Sequence, residues 1–166
     1  MSSEWHRWEQ VTKYVSSGHK LYRSSTPNYA GLDLSQNLTP TAVEFLTDKG
    51  IDSIISFNQY SYTDDERKLL ADAKISYLHV PVADFNAPTL EQLESAITFF
   101  NDAAHKSTLV HCGYGHGRSG TGVTGLQLNA TRGENPPEAD WKAVNHVESP
   151  TQIAVLRTLR DKLKES

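Results

Sequence analysis

The chain has 166 residues, 37% hydrophobic and 22% charged, with a net charge of −4. That length supports one domain able to bury about two-thirds of its unfolded surface. An acidic balance without a basic block or arginine–aromatic interleaving argues against a nucleic-acid partner, and no apolar run is long enough for membrane insertion. The single cysteine cannot close an internal disulfide, which suits a reducing compartment. The opening Met1-Ser2-Ser3-Glu4-Trp5 lacks the basic-then-apolar order of a secretory leader, so a cytoplasmic protein is expected.

In chain order, Trp5, Trp8, Val11 and Val15 recur at helical spacing and predict a short helix over residues 4–17. Lys20 to Ser24 reads as a strand, and Thr26 to Asp33 as a loop. Thr39 and Pro40 supply an N-cap and first helical position, with Gly50 as the stop. Ile51 to Phe57 is a buried strand, Thr63 opens a short helix, and Ser76 to Val82 is the next strand. Thr89 and Gln92 form a capping box for a long helix with Leu90, Leu93, Ile97 and Phe100 on one face. Thr108 to His111 is a short central strand, and a helix follows from Arg118 to Gly133. Pro136-Pro137 opens a helix through Trp141, Val144 and Val147, and Pro150 opens the last. Strands alternating with helices predict an α/β domain with a mainly parallel sheet.

The stretch from Leu109 to Gly122 carries the chemistry. Cys112 leaves an apolar strand, a glycine-rich loop follows, and Arg118 stands at a helix start. Loop amides, helix N-terminus and guanidinium all favour one bound dianion, and the same surroundings favour the attacking thiolate. The planar fork of Arg118 can grip two equatorial phosphoryl oxygens, as lysine cannot. Gly115-x-Gly117-x-x-Gly120 also spells a dinucleotide motif, but the required strand and acid about 20 residues on are absent; that region is Glu134-Asn135-Pro136-Pro137. A metal site from His111, Cys112 and His116 lacks a second cysteine or clustered carboxylates, so no metal or other cofactor is expected.

With His111-Cys112 and Arg118-Ser119-Gly120, Val80-Pro81-Val82-Ala83-Asp84 upstream and Glu148-Ser149-Pro150-Thr151-Gln152 downstream, the chain resembles the cysteine-dependent protein tyrosine phosphatases. It is most similar to their small dual-specificity branch, from about Lys20 to the C-terminus. The resemblance implies a single-domain phosphatase fold over 20–166, a mainly parallel sheet flanked by helices, with 1–19 as an N-terminal helical extension packed on it. It also implies metal-independent hydrolysis through a phosphocysteine on Cys112. Gly113, Tyr114, Gly115, His116, Gly117 and Arg118 would bind the phosphate. Expelling an alkoxide or phenolate needs a proton, and the resemblance makes Asp84 that acid and the later base. It implies that Ser119 donates to the Cys112 sulfur, that His111 orients loop and cysteine by hydrogen bonding, and that Gln152, with Asn145 as fallback, orients the hydrolytic water. His116 is open between a solvent-facing loop residue and a weak substrate-sensing cation.

The expected substrate is a phosphorylated protein or small phosphomonoester, with a shallow pocket of dual-specificity type and a monomer favoured. The alternative is a phosphoinositide or inositol phosphate, disfavoured by Gly113, Tyr114 and His116 where the lipid-directed branch usually places lysines. A non-catalytic phosphate-binding module would be expected to lack the cysteine, arginine or acid, and Cys112, Arg118 and Asp84 are all present.

Overall fold

Ile54 and Ile55 are neighbours in one strand and Leu109 and Val110 in another, so each strand must bury both of its faces. The computed structural model, which describes residues 4–31 and 36–165, meets that demand with a five-stranded sheet between two helical layers. The strands are β1 (Glu9–Val11), β2 (Lys20–Ser24), β3 (Ser53–Ser56), β4 (Ser76–His79) and β5 (Ser107–His111), in spatial order β1-β2-β5-β3-β4. β2, β5, β3 and β4 run parallel, and β1 closes one edge antiparallel to β2. β5, flanked on both sides, is buried along its whole length.

The helices are α1 (Pro40–Asp48), α2 (Asp64–Asp72), α3 (Leu90–Asn101), α4 (Gly117–Ala130), α5 (Glu138–Ala143) and α6 (Pro150–Glu165). On one face Ile54 and Leu109 pack with Leu46 of α1 and Leu70 of α2; on the other Ile55 and Val110 pack with Phe100 of α3 and Val123 of α4. A third cluster, with Leu128, Trp141 and Leu156, joins α4 to α5 and α6. The expected caps form: Thr39 accepts from the Ala42 amide, and Thr63 with Glu66 and Thr89 with Gln92 make full capping boxes.

Two expectations are corrected. Residues 4–17 form no helix; they run as an irregular segment that enters β1, with Arg7 (φ 54°) and Tyr14 (φ 59°) in the left-handed region. Tertiary contact overrides the helical spacing here: Trp5 is buried with its indole N–H donating to the Ala42 carbonyl, while Trp8 packs on Tyr22 and Phe45. Residues 4–6 are laced to 25–28 through His6 with Ser25 and Glu4 with Asn28. The helix expected through Val147 stops at Ala143, because His146 takes φ 66° and the chain turns back toward the sheet. The expected loop beyond Thr26 includes Leu32 and Asp33, which lie outside the described residues.

The turn after α5 depends on one glycine. A Cβ on Gly120 would collide with the Asn145 carbonyl oxygen, so α4 and the 144–149 loop touch at backbone level. Gly120→Ala is expected to lose about 1–3 kcal/mol to overpacking, more than the about 1 kcal/mol that alanine gains over glycine within a helix. Thermal unfolding should therefore show a fall in Tm, and a rise would mean that the loop retreats freely.

Candidate active site

Cys112 follows the last residue of β5, at the carboxyl edge of the sheet, where parallel strands of α/β folds leave their crevice. Its sulfur is buried and accepts a hydrogen bond from the Gly115 amide at 3.3 Å. The loop from Gly113 to His116 then passes into α4 at Gly117. Four successive carbonyls of this loop are held by donors. Thr26 N–H donates to Gly113 O at 2.9 Å and Arg7 Nε to Tyr114 O at 2.6 Å. Arg23 donates to Gly115 O at 3.1 Å and His116 O at 3.3 Å. A planar trans peptide directs its carbonyl and the following amide to opposite sides. The amides of Tyr114, Gly115, His116 and Gly117 therefore face away from those donors, and the one on Cys112 shows that they turn inward.

Gly115 makes the turn possible. Its φ is 110°, and a Cβ there would come within 2.9 Å of the Ser25 amide nitrogen. Both sterics and backbone preference make a larger residue strain the loop.

Arg118 is buried, with Nη1 donating to Val82 O at 2.9 Å and Nη2 lying 3.2 Å from Asp84 Oδ1. The β4–α3 connection that carries Asp84 thus folds over the nucleophile, and Asp84 is half exposed. Cys112, Arg118, Asp84, Tyr114, His116 and Glu148 line a common cavity of about 380 Å³, with Phe85 and Tyr29 at its wall. A larger cleft of about 580 Å³ against Trp8, Phe45 and Lys49 has no cysteine or arginine in its lining.

His111 is buried and packed against Trp5 and Tyr62, with Tyr62 Oη 2.8 Å from Nε2. Burial pushes the Tyr62 phenol well above its usual range and drops His111 to about 3. A phenol that stays protonated can donate to Nε2, which leaves the proton of the neutral imidazole on Nδ1. Nδ1 is buried and completes no hydrogen bond. His116 stacks on His146 at 4.2 Å, and burial, with His146, Arg23 and Arg7 adding, lowers it to about 4. His116 therefore meets the cavity as a neutral wall at pH 7, not as a cation.

Two expected contacts are not made. Ser119 Oγ is buried without a hydrogen-bond partner, so it does not reach the Cys112 sulfur, whose donor is the Gly115 amide. Gln152 is buried directly behind the cavity wall, its Nε2 3.1 Å from where a Cβ on the wall residue Gly117 would stand; its Oε1 accepts from the Glu148 and Ser149 amides at the start of α6, and its Nε2 donates to Asn86 O at 3.0 Å. Its side chain ties α6 to the loop that bears Asp84. Asn145 is also committed elsewhere, donating to Thr124 and Gln127. The side chain that the 144–149 loop does present to the cavity is Glu148. No motif in the sequence marks Glu148, Arg7 or Arg23 as part of the site. For Arg23 a signal existed, since it shares a strand face with buried Leu21, two residues away.

The depressed histidines have a measurable consequence. His111 and His116 take up protons in the unfolded chain near pH 6.5 but in the folded chain only near 3 and 4. Their contribution to stability is whole above about pH 6.5 and is lost as pH falls toward those values. Tm should drop between pH 6.5 and 4, and His111→Gln should flatten that slope by about one proton's worth, near 1.4 kcal/mol per pH unit. Calorimetric scans showing an unaltered slope would contradict a neutral buried His111. Gly115→Ala is expected to leave the fold in place while weakening orthovanadate binding by at least about tenfold, measured by calorimetry.

With this geometry in view, comparison with known proteins is informative. The family model described as "PTP-SAK: Swiss Army Knife protein, DSP-PTPase phosphatase domain" matches residues 30–166. A curated relative, the phosphatidylglycerophosphate phosphatase PTPMT2 of Arabidopsis thaliana, is 25% identical over 126 residues, 74% of this chain and 48% of its own length. The chain therefore spans about half of that relative. Among solved structures, the kinase-associated phosphatase KAP, with serine in place of its catalytic cysteine, superposes with a TM-score of 0.75 at 21% identity, covering 99% of each chain. PTPMT1 in complex with PI(5)P gives 0.70 at 16% identity, covering 95% of this chain and 97% of that one. At these identities the structural likeness speaks to the fold. The match over residues 30–166 goes further, and the chain belongs to the DSP-PTPase phosphatase domain family, in the small dual-specificity branch of the cysteine-dependent phosphatases.

Proposed function

We propose that this chain hydrolyses phosphomonoesters through a phosphocysteine and that its substrates are phosphorylated protein side chains. One observation carries the reading: the Cys112 sulfur lies beneath inward-facing loop amides, with Arg118 and Asp84 paired across the same cavity. In the first step the thiolate attacks phosphorus, an S–P bond forms, and the bond to the leaving oxygen breaks as Asp84, in its acid form, gives that oxygen its proton. In the second, water attacks phosphorus, Asp84 takes a proton from it, and the S–P bond breaks to release phosphate and the thiolate. The loop amides of residues 114–117 and the Arg118 fork supply the field for the charge on the equatorial oxygens in both steps. His111, neutral and fixed by Tyr62, positions the strand end without exchanging protons with the substrate.

The cavity wall favours a single phosphoryl group. Arg118 is its one arginine or lysine among the described residues, His116 is neutral at pH 7, and the Glu148 carboxylate repels further anionic groups. Phe85 and Tyr114 are exposed beside the opening and offer apolar surface to the rest of a peptide. A second reading, a lipid or inositol phosphate substrate, draws on the name of the curated relative, a phosphatidylglycerophosphate phosphatase. For either substrate the lone thiol fits a reducing compartment such as the cytoplasm.

Cys112→Ser should fold normally and lose all detectable hydrolysis of p-nitrophenyl phosphate; activity equal to wild type would end the phosphocysteine reading. Asp84→Asn should cost about 10²–10⁴-fold on alkyl phosphates and clearly less on p-nitrophenyl phosphate, whose leaving group needs no proton and which loses only the base of the second step. Equal losses on both would move the acid elsewhere. A panel of phosphotyrosine and phosphothreonine peptides, phosphoinositides, phosphatidylglycerophosphate and inositol phosphates should give the highest kcat/KM for a phosphopeptide. A lipid or inositol phosphate at the head of that ranking would establish the second reading instead.

A further inference from the structure

We propose that Arg23, which touches neither nucleophile nor acid, is a positioning residue: from outside the loop its guanidinium holds the Gly115 and His116 carbonyls so that the His116 and Gly117 amides face the phosphoryl group. The inference rests on the phosphatase reading above and assigns a determinant of that site on β2.

Arg23 is 3% exposed, yet among the described residues no carboxylate pairs with it. Its three hydrogen bonds all run to main-chain carbonyls: Nη1 to Asn145 at 2.8 Å, Nη2 to Gly115 at 3.1 Å and to His116 at 3.3 Å. Burying a guanidinium without a counterion costs several kcal/mol, and core packing alone would be served by an apolar residue. What the cation gains is a grip on three carbonyls from two segments, which a planar fork can make and a lysine ammonium cannot reproduce. Two of those carbonyls belong to peptide units whose opposite edges are the His116 and Gly117 amides. The third, Asn145 O, is the oxygen that α4 approaches at Gly120, so the same guanidinium seats the helix start against the loop. The neighbouring titratable groups are Glu9 on β1, Cys112 after β5, and Arg7, His116 and His146 around a cavity of about 210 Å³ that Arg23 itself lines. None of their side chains bonds to the guanidinium, and its directional contacts are all with the main chain.

The test compares wild type with Arg23→Ala and Arg23→Lys. Orthovanadate binding is followed by calorimetry, kcat and KM are measured with p-nitrophenyl phosphate, and folding is followed by circular dichroism. Arg23→Ala is expected to bind orthovanadate at least about tenfold more weakly and to lose about 10²-fold in kcat/KM, mostly in kcat, as when one donor is removed from an oxyanion site. Guanidinium at non-denaturing concentration should fill the space left behind and restore at least about fivefold, while ammonium at equal ionic strength should not. A folded Arg23→Ala that matches wild type within twofold overturns the inference, and so does an impaired one that guanidinium leaves unmoved. If Arg23→Ala fails to fold, Arg23→Lys decides: about fivefold or greater loss of orthovanadate affinity is expected, and wild-type affinity overturns the proposal. Without any ligand, the amide resonances of His116 and Gly117 should shift in Arg23→Lys, and unchanged resonances overturn it independently of catalysis. A wild-type protein that neither binds orthovanadate nor turns over would instead refute the phosphatase reading, so the two failures are distinct.

Discussion

A peptide unit cannot point its carbonyl and its following amide the same way, and the site of this protein is built on that constraint. To aim consecutive amides at one point, the loop after Cys112 must turn consecutive carbonyls outward, and something must receive them. The fold supplies Thr26, Arg7 and Arg23 on the outer side, with α4 taking up the His116 carbonyl through the Gly120 amide. The inner surface that meets a phosphoryl group and the outer surface that meets β2 and the N-terminal segment are two sides of the same peptide planes. Altering either alters the other.

A second dependence runs through the loops rather than the strands. Arg118 holds Val82 and Asp84, and Gln152 joins Asn86 to the first turn of α6, so the acid-bearing loop is gripped from the catalytic helix and the C-terminal helix at once. The 144–149 loop is held by Arg23 at Asn145 and brings Glu148 to the cavity. Although the chain is acidic overall, the field at Cys112 comes from oriented dipoles and two buried guanidiniums, Arg118 and Arg23, and such local sources outweigh a distant net charge screened by solvent.

The sheet, the helix caps and the nucleophile loop were legible because their signals are local. Buried parallel strands read as apolar runs, Thr39-Pro40, Thr63-Glu66 and Thr89-Gln92 announce helix starts, and Cys112 with Arg118 sits within one short motif. Asp84 was found from a loop pattern and does lie against Arg118. The misreadings fall where distant contacts decide. Trp5 and Trp8 have helical spacing, but their partners are Ala42, Tyr22 and Phe45, and burial of the indoles outweighs local preference. Ser119 has its place in the motif, but the direction of its side chain follows from what surrounds it, and its Oγ finds no partner. No spacing along the chain reveals that Arg23 and Gly115, 92 positions apart, meet.

The outer donors also fix where the catalytic unit begins. The family match starts at residue 30, but Arg7, Arg23 and Thr26, which receive the carbonyls of the loop, all precede it. The matched segment is thus incomplete by itself: its chemistry is written after residue 30 and part of its shape before it. Related domains that keep the cysteine loop while varying what precedes it would have to rebuild that outer set of donors from other residues, and the way each one does so is a place where affinity for the phosphoryl group can diverge without any change in the loop itself.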